Sequence, residues 1–463
     1  MCLAQVKHVH GDAPGTSPHM NPQPESARGP RDSQAGPPKV IELHDLEVRG
    51  NRVRCGYTLT GNLERYLRKG PLEMNYDVPV GEIDDSISYV PFVASVLPLA
   101  FLAGADISVR TIDAEYLRSV MLVQDQLKAW RPGVPFRTKI MAGEGKANSF
   151  AVGGRGGLLF SGGLDSTASY LLHKDSVSTL IMVGGTEDMP LTDLEYWRRV
   201  RSLTSSFAAK NGASLHSVES NWLKVLKMPE LMRDLSAPLV GPDHQEEIGN
   251  WEGLFRITLL GLCSPVTAAE HLQSMLIAST LPLDVTRALG RHGVIEEILR
   301  WGDLTITRDT KDFTRQQKIG EVIAPYLDGN QEQIPLRVCH PIRYEKNKRL
   351  RRKGMLNCSD CEKCYRTILG LVLDGVNPPR CGFERGSFDS KKVRQQIVDR
   401  KLLFTNATLA LWTEIKQHVN DRPVQAVESN VWDCNDFFDW LATYDLSQNL
   451  LTSGASGEGK TPP

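Results

Sequence analysis

The stretch Leu158-Leu159-Phe160-Ser161-Gly162-Gly163-Leu164-Asp165-Ser166 joins a short apolar segment to the start of a helical pattern through two adjacent glycines. Its apolar residues predict a buried strand, Leu158–Phe160, and residues 166–173 predict a helix. Gly162 and Gly163 can both adopt positive φ, so successive backbone N–H groups can turn inward towards an anion. The positive end of the helix faces the same anion, and the hydroxyls of Ser161 and Ser166 add donors. The loop therefore predicts a binding site for phosphate groups.

Asp165 is the one side chain of this loop that a phosphate group would repel. We expect it to hold Mg²⁺ or to cap the helix, so the complete loop fits a magnesium-bound polyphosphate. The alternative is an ordinary glycine turn in which Asp165 is only the N-cap. A Walker A loop and a dinucleotide fingerprint are both excluded, because neither Gly-Lys-Ser/Thr nor Gly-x-Gly-x-x-Gly is found at this loop.

Strand and helix patterns alternate on the carboxyl side of the loop. The predicted helix Asp193–Lys210 is typical of the units that separate parallel strands. Further buried strands are predicted at Val177–Val183, Leu215–Val218, Met275–Ala278 and Leu304–Thr307. Repeated units of this kind predict an α/β fold with a doubly wound parallel sheet that helices cover on both faces.

The rest of the chain differs from this alternating part in composition. We expect disordered tails at residues 1–38 and 451–463, because both are too poor in large apolar groups to offset the entropy of ordering. The predicted domains between the tails are an α+β N-terminal domain (39–150), a domain that carries the phosphate-binding loop (151–335), a cysteine-rich subdomain (336–386) and a helical C-terminal region (387–450).

The most apolar segment is Val90–Ala105. It is shorter than the roughly 20 apolar residues that span a membrane, and it contains Pro91 and Pro98. We therefore expect a buried element of a soluble domain. The formal net charge of −1 gives no overall attraction to nucleic acid or to anionic membranes. Together with the absence of an apolar leader, these features predict a cytoplasmic protein without a membrane partner.

Three of the nine cysteines lie within seven residues, at Cys358, Cys361 and Cys364. Two overlapping C-x₂-C steps suit one metal ion, and a structural Zn²⁺ takes four ligands. Cys339 is the predicted fourth ligand, with Cys381 and His340 as alternatives, and residues 335–338 before it predict a strand. An iron–sulfur cluster of the bacterial ferredoxin type would need a further cysteine at the position of Ile368, so zinc is favoured.

The Ser-Gly-Gly-x-Asp-Ser pattern of residues 161–166 resembles the signature of the PP-loop ATP pyrophosphatase superfamily. That resemblance implies an adenine nucleotide α-hydrolase-like sheet, and a loop that grips the β and γ phosphates of ATP. It implies nucleotide contacts from the loop and from the end of the next strand, namely Phe160, Ser161, Gly162, Gly163, Leu164, Asp165, Ser166, Val183 and Gly184.

The segment Asn357–Thr367 narrows the resemblance to 7-cyano-7-deazaguanine synthase. Residues 314–318 are similar to that family's Arg-x-Glu-Lys segment, with Gln317 where Glu is usual, which implies that Arg315 and Lys318 are catalytic cations. The regions before the loop and after residue 387 have no counterpart there, and look like those of enlarged relatives in bacterial anti-phage defence operons.

The expected reaction follows from this resemblance. With ATP and Mg²⁺, a carboxylate such as a 7-carboxy-7-deazaguanine-like acid is adenylated, pyrophosphate leaves, and ammonia or an amine takes the acyl group. The catalytic residues would be Ser161, Asp165, Ser166, Arg315 and Lys318. Two alternatives stay open. One is a tRNA sulfurtransferase whose basic run Arg343–Lys353 contacts nucleic acid, and the other is a non-catalytic nucleotide-binding subunit of a defence complex.

Overall fold

A ten-stranded sheet runs through the computed structural model of this chain. The structure describes residues 38–130, 133–150, 153–235, 249–288, 295–329, 333–339, 354–421 and 432–451, with side chains left undescribed at 249–253. Nearly all of both predicted tails, the basic run 343–353 and His340 lie outside these residues. The strands are Val40–Arg49 (β1), Arg52–Leu59 (β2), Leu72–Tyr76 (β3), Asp106–Asp113 (β4), Ile140–Lys146 (β5), Gly156–Leu159 (β6), Val177–Gly184 (β7), Ser214–Ser220 (β8), Ser274–Ala278 (β9) and Thr305–Asp309 (β10).

Helices cover this sheet and form most of the carboxyl-terminal part. The α-helices are Asp85–Ser88 (α1), Val90–Ala103 (α2), Ala114–Trp130 (α3), Leu164–Leu172 (α4), Leu194–Lys210 (α5), Trp222–Val225 (α6), Met228–Leu235 (α7), Gly249–Leu262 (α8), Ser264–Ala269 (α9), Leu283–Ala288 (α10), Ile295–Ile298 (α11), Arg315–Gln317 (α12), Ala324–Gly329 (α13), Glu362–Leu373 (α14), Ser390–Val398 (α15), Asn406–Asp421 (α16) and Asn435–Thr443 (α17). A π-helical segment, Lys318–Ile323, joins α12 to α13. Short 3₁₀ turns lie at Leu63–Arg65, Pro378–Cys381, Arg385–Ser387 and Leu446–Asn449.

The strand order is β10-β9-β6-β7-β8-β3-β2-β1-β4-β5, and most neighbours are parallel. The last five strands of the sequence pair with one another only in parallel, in the order β8-β7-β6-β9-β10. This is the doubly wound arrangement in which the chain moves outward in one direction and then returns to fill the other side. The predicted α/β class, the largely parallel sheet and its five core strands are confirmed, with bounds shifted by at most two residues.

The order of β6 and β9 creates a crevice at their carboxyl ends. Strand β6 continues to β7 on one side, whereas its other neighbour, β9, comes much later in the chain. The connections leaving such neighbouring strands run in opposite directions, and ligands of open α/β sheets bind at this switch point. The loop 161–163 leaves the end of β6 at that position.

The N-terminal strands extend the same sheet instead of forming one of their own. Strand β3 pairs antiparallel with β8, with Tyr76 opposite Val218. The described residues between 38 and 451 consequently belong to one compact unit, and the boundary expected near residue 150 does not separate two sheets. The physical reason is that β3 covers the edge of β8, which would otherwise expose unpaired backbone groups.

The apolar segment forms α2, which is buried along its whole length. The stretch Asp85–Ala103 is long and apolar enough to cross a membrane, but every residue from Ser86 to Ala103 is buried inside the fold, as in a core helix of a soluble α/β protein. Helix α8 packs closely on α2 because Gly261 has no side chain, and a Cβ there would collide with the Cβ of Ala94. Thr258 also donates to the Ala94 carbonyl over 2.8 Å.

One predicted strand is wrong. Residues 335–338 form no regular structure among the described residues, and the segment instead follows the loop after β6, where Arg337 N donates to Gly162 O over 2.7 Å. An irregular backbone that reaches the loop in this way is not available to form a ladder with another strand. The region 387–450, which the sequence predicts to be helical, contains α15, α16 and α17.

Replacing Gly261 by Ala should lower the free energy of unfolding by about 1–3 kcal/mol, because the added methyl overpacks the α2–α8 contact. Urea denaturation followed by circular dichroism measures this loss. Ala94→Gly removes the opposing Cβ, so the same substitution should cost less in that background. Equal losses in both backgrounds would contradict the contact.

Candidate active site and metal centre

The loop after β6 is shaped by one glycine in the left-handed region. Gly162 has φ +72°, whereas Gly163 has φ −75° and ψ 170°, which is extended backbone. Both glycines can adopt positive φ, but only Gly162 does so in this loop. The lack of a side chain on Gly163 matters in another way, because a Cβ there would lie 3.1 Å from Ser161 Oγ. Gly162 thus allows the backbone conformation of the loop, and Gly163 allows the close approach of Ser161 Oγ.

The serine hydroxyls of the loop bind one another. Ser161 Oγ and Ser166 Oγ lie 3.2 Å apart, and Gly163 N donates to Ser161 Oγ over 3.2 Å. Ser166 Oγ also accepts from Ser161 N over 3.3 Å. Ser161 is exposed and Ser166 is buried, so one hydroxyl is open to a ligand while the other holds the turn. The structure therefore brings Ser161, Gly162, Gly163 and Ser166 together at the start of α4.

Phe160 and Leu164 are placed differently from the expected nucleotide contacts. Both side chains are buried in the core below the loop, where the Phe160 ring stacks on Phe207 with centroids 6.4 Å apart. Any contact that these two residues make with a ligand is therefore limited to backbone atoms. They support the loop from beneath.

Val183 and Gly184 end β7, directly beside β6. Val183 is buried, and a Cβ on Gly184 would lie 3.0 Å from Leu191 and 3.1 Å from Trp197. Gly184 is thus a point of close packing against α5 and the segment before it. The two residues lie at the same sheet edge as the loop, as the resemblance implies.

Asp165 is neither exposed nor a helix cap. Gly163 is the N-cap position of α4 and no side chain caps it. The Asp165 carboxylate instead accepts from Arg315 Nη1 over 2.8 Å and from Lys318 Nζ over 3.2 Å. Burial alone would raise the pKa of Asp165, but the charges of Arg315 and Lys318 hold it below its usual range. Asp165 is therefore an ionised anchor for two cations.

This arrangement bears on the expected magnesium ligand. Each Asp165 oxygen already accepts from a cationic donor, and the two cations would repel a divalent ion at the same carboxylate. The geometry does not fit direct coordination of Mg²⁺ by Asp165, so Asp165 is not assigned that role.

Lys318 links the loop to the strand on its other side. Its side chain is fully buried, and Nζ donates both to Asp165 and to the backbone carbonyl of Ser279, which directly follows β9. Burial lowers the pKa of Lys318, while the Asp165 charge opposes that shift. Lys318 Nζ thus connects the helix that follows β6 to the segment that follows β9, across the switch point between these two strands.

The helix that carries the two cations begins with a capping box. Thr314 Oγ1 accepts from Gln317 N over 3.0 Å, and Gln317 Oε1 accepts from Thr314 N over 2.9 Å. Either Gln or Glu can make the second bond, which accounts for Gln317 at this position. The π-helical segment begins at the next residue, Lys318. π-Helical segments are rare in proteins as a whole, but those that occur are frequently found at functional sites.

Arg337 is a residue of the site that the sequence analysis missed. Its Nε donates to Ser161 O over 3.0 Å, and its Nη1 donates to Asp188 O over 2.8 Å. It is 6% exposed. The guanidinium therefore stabilises the loop through a backbone carbonyl and adds positive charge beneath it. In the sequence, the only indication that Arg337 belongs to the site was its position two residues before the predicted metal ligand Cys339.

A second layer of charge lies behind Asp165. Arg315 Nη2 donates to Thr367 Oγ1 over 3.4 Å, and Arg366, its neighbour on α14, pairs with Glu362 over 2.8 Å. From α16, Glu414 Oε2 accepts from Arg315 N over 3.0 Å. Three segments that are distant in sequence, α4, α14 and α16, therefore each supply a hydrogen-bond acceptor to Arg315.

The four predicted metal ligands form one buried cluster. The Sγ atoms of Cys339, Cys358, Cys361 and Cys364 all lie within 4.8 Å of one another, and those of Cys358 and Cys364 are 3.7 Å apart. A tetrahedral zinc with Zn–S bonds of about 2.3 Å needs S···S separations of roughly 3.8 Å. The thiols therefore fit a zinc ion, and the alternative ligand Cys381 does not belong to this group.

Asn357 holds the two cysteine segments together. Its Oδ1 accepts from Val338 N over 2.8 Å and from Cys339 N over 3.2 Å, and its Nδ2 donates to Leu336 O over 2.7 Å. The side chain is completely buried. Asn357 immediately precedes Cys358, so one amide fixes the distance between the irregular 333–339 segment and the C-x₂-C turns.

Replacing Cys339 by Ser should remove the metal, because it takes away one of the four ligands. We expect about one zinc per wild-type chain and little in the variant, by elemental analysis of purified protein. Cys381→Ser is the matched control: this cysteine is also buried, but lies outside the cluster, and its chain should keep the zinc. Zinc loss in Cys381→Ser with retention in Cys339→Ser would reverse the ligand assignment.

No family model matches this chain, and neither a curated protein nor a solved structure does. The residues of the site are therefore the basis for its proposed function.

Proposed function

We propose that this chain is an ATP-dependent carbon–nitrogen ligase that forms AMP and pyrophosphate. The loop Ser161–Ser166 would receive the β and γ phosphates of MgATP, and an oxygen of a carboxylate substrate would attack the α phosphorus. The bond between the α phosphorus and the bridging oxygen breaks, and pyrophosphate leaves. A nitrogen nucleophile then displaces AMP from the acyl-adenylate. The observation that carries this proposal is the position of the loop at the switch point, with Asp165 tied to Arg315 and Lys318.

The electrostatics of the site support pyrophosphate as the leaving group. Arg315 and Lys318 carry two positive charges but share one carboxylate, that of Asp165. Arg337 adds a further positive charge below the loop. Preorganised positive charge in a site with little water stabilises negative charge that grows on a leaving group. Asp165 serves by fixing where these cations stand, and Mg²⁺ arrives with the phosphates of its substrate.

The strand order supports an adenine nucleotide α-hydrolase-like fold for the core. In the proposed complex the adenine would lie near the end of β7, at Val183 and Gly184, beside the strand that carries the loop. The buried thiol cluster would hold a structural Zn²⁺. Its closed set of four protein ligands leaves no open position for a substrate.

The proposed acid is a 7-carboxy-7-deazaguanine-like heterocycle, and the acceptor is ammonia or an amine of another molecule. This part rests on the resemblance of Asn357–Thr367 to 7-cyano-7-deazaguanine synthase and on the segments that enlarge the chain. A cytoplasmic role in antiviral defence, with a protein acceptor or complex partner, is proposed on the same ground.

The thiols disfavour the sulfurtransferase alternative. Such an enzyme needs a reactive thiolate, but the described cysteines outside the metal cluster are buried. Burial raises the pKa of Cys55, Cys381 and Cys434 to about 12, and that of Cys263 also rises. None of these four described thiols is therefore the reactive thiolate that a sulfurtransferase needs at neutral pH.

The proposal is tested by incubating the full chain with ATP, Mg²⁺ and 7-carboxy-7-deazaguanine. We expect pyrophosphate release that depends on the acid, and mass spectrometry should detect its amide or nitrile when ammonia is supplied. Pyrophosphate release with other acids but not with this one would reject the substrate assignment. If a substrate-independent assay of MgATP binding is negative, the nucleotide site itself is rejected.

Replacing Ser161 by Ala should lower kcat/KM for ATP by about tenfold to a hundredfold, because it removes one hydrogen bond to a charged group. The melting temperature should change little, since Ser161 is exposed. Ser206→Ala, at another exposed serine whose hydroxyl donates to the Ser202 carbonyl of its own helix, is the control and should retain full activity. Equal activity of the two variants would contradict the phosphate-binding role of the loop.

A further inference from the structure

Helix α16 of the C-terminal region reaches the candidate active site through Glu414. Its Oε2 accepts from Arg315 N over 3.0 Å, at the first residue of the helix that carries the cations. Two residues earlier, Trp412 Nε1 donates to Glu362 over 2.9 Å. Helix α16 therefore contacts both charged segments, α12 and α14, that face Asp165.

Three buried polar atoms at this place have no hydrogen-bond partner among the residues that the structure describes. They are Arg315 Nε, Arg366 Nη1 and Glu414 Oε1. Arg366 is 6% exposed. Each of these groups is bonded through its other atoms, but a buried polar atom without a hydrogen-bond partner costs free energy, so several at one place indicate a missing ligand or water. Because two of the three atoms are guanidinium donors, the ligand that they suit is an anion.

The charges of the three side chains interact with one another. The charge of Arg366 acts on Arg315, and both act on Glu414, together with that of Lys318. Glu362 and Asp165 balance part of this positive charge, since they pair with Arg366 and with Arg315 and Lys318 respectively. Glu414 is thus the member of the cluster whose ionisation determines whether a positive charge is left for a ligand.

We propose that Glu414 is a positioning residue of the nucleotide site, which holds the backbone of Arg315 and takes up a proton when an anionic oxyacid group binds beside Arg315 Nε and Arg366 Nη1. The inference rests on the proposed function, because that reaction supplies two such groups. One is a phosphate of ATP or of the leaving pyrophosphate. The other is the carboxylate of the acyl substrate.

The sign of the expected pH dependence follows from the position of Glu414. Burial raises its pKa to about 7, while the nearby cations act against that shift. An anion placed in the same cluster disfavours the charged carboxylate further, and so raises the pKa again. Binding above this pKa therefore takes up a proton from solvent. Affinity is greatest below pH 7, where Glu414 is already neutral, and falls as the pH rises through 7 and beyond.

Isothermal titration calorimetry of the full chain, in buffers of different ionisation enthalpy, counts the protons taken up. The probes are MgATP, pyrophosphate and 7-carboxy-7-deazaguanine, each titrated from pH 6 to pH 8.5. Glu414→Gln keeps an acceptor for Arg315 N but cannot titrate. We expect wild-type affinity to fall about tenfold more than that of Glu414→Gln across this range, which corresponds to a pKa shift of one unit. Titration of the ligand itself is common to both chains and cancels in the comparison.

Two further variants separate this role from a merely structural one. Glu414→Asp retains a titratable carboxylate and should retain the proton uptake, even if Glu414→Gln were to fold poorly. Asp421→Asn, at the exposed carboxyl end of the same helix, should behave as the wild type.

The three probes identify the anion. Proton uptake by Glu414 on binding of pyrophosphate and MgATP assigns the subsite to phosphate. Proton uptake on binding of the heterocyclic acid alone assigns the subsite to the substrate carboxylate. Normal MgATP binding with the same proton count in wild type and Glu414→Gln for all three probes would overturn this inference and leave the proposed function intact. No binding of MgATP to any chain would overturn the proposed function, and this inference with it.

Discussion

The ion pairs of Asp165 with Arg315 and Lys318 are the interaction on which the arrangement of the site depends. Ionised groups are costly to bury, and a buried pair is stable only when its geometry and further hydrogen bonds compensate for lost hydration. Here the compensation comes from separate segments. Asp165 stands on α4 after β6, and Lys318 also donates to the backbone after β9. Removing Asp165 would leave two buried cations without the carboxylate that they share, so the strand ends, the loop and the helix 315–329 are fixed relative to one another.

The cysteine cluster extends this constraint to the C-terminal region. Cys361 is the N-cap of α14, and Arg366 lies one turn further along the same helix. A metal ion held by four thiolates would therefore fix the start of the helix that presents Arg366 to the charged cluster. Asn357 ties the opposite side, because the segment it holds contains both Cys339 and Arg337. The same short stretch thus supplies one metal ligand and the guanidinium below the phosphate loop.

The parts of the site that the sequence predicted are those that form from neighbouring residues. The loop 161–166 and the C-x₂-C steps are short patterns, and the core strands are continuous apolar runs, so local physics is enough to find them. Arg337 and Glu414 are single charged residues whose role arises only when distant segments pack together. The pairing of Tyr76 with Val218, which continues the sheet across residue 150, is likewise non-local. Even the loop retained an ambiguity, because composition cannot tell which of two adjacent glycines takes positive φ.

The distribution of unsatisfied polar groups supports the location of the site independently of any motif. Most of the buried side-chain atoms without partners, such as Thr111 Oγ1 and Trp222 Nε1, lie on neutral groups. Of those on charged groups, Asp234 Oδ2 and Glu296 Oε2 are single atoms elsewhere, whereas those of Arg315, Arg366 and Glu414 lie in one cluster, next to the π-helical segment that starts at Lys318. A fold tolerates buried polar atoms without hydrogen-bond partners at a place where a bound ligand supplies those partners. The C-terminal helix that supplies Glu414 is therefore part of the candidate active site, and a chain shortened before α16 would lose both the carboxylate and the contact that holds Arg315.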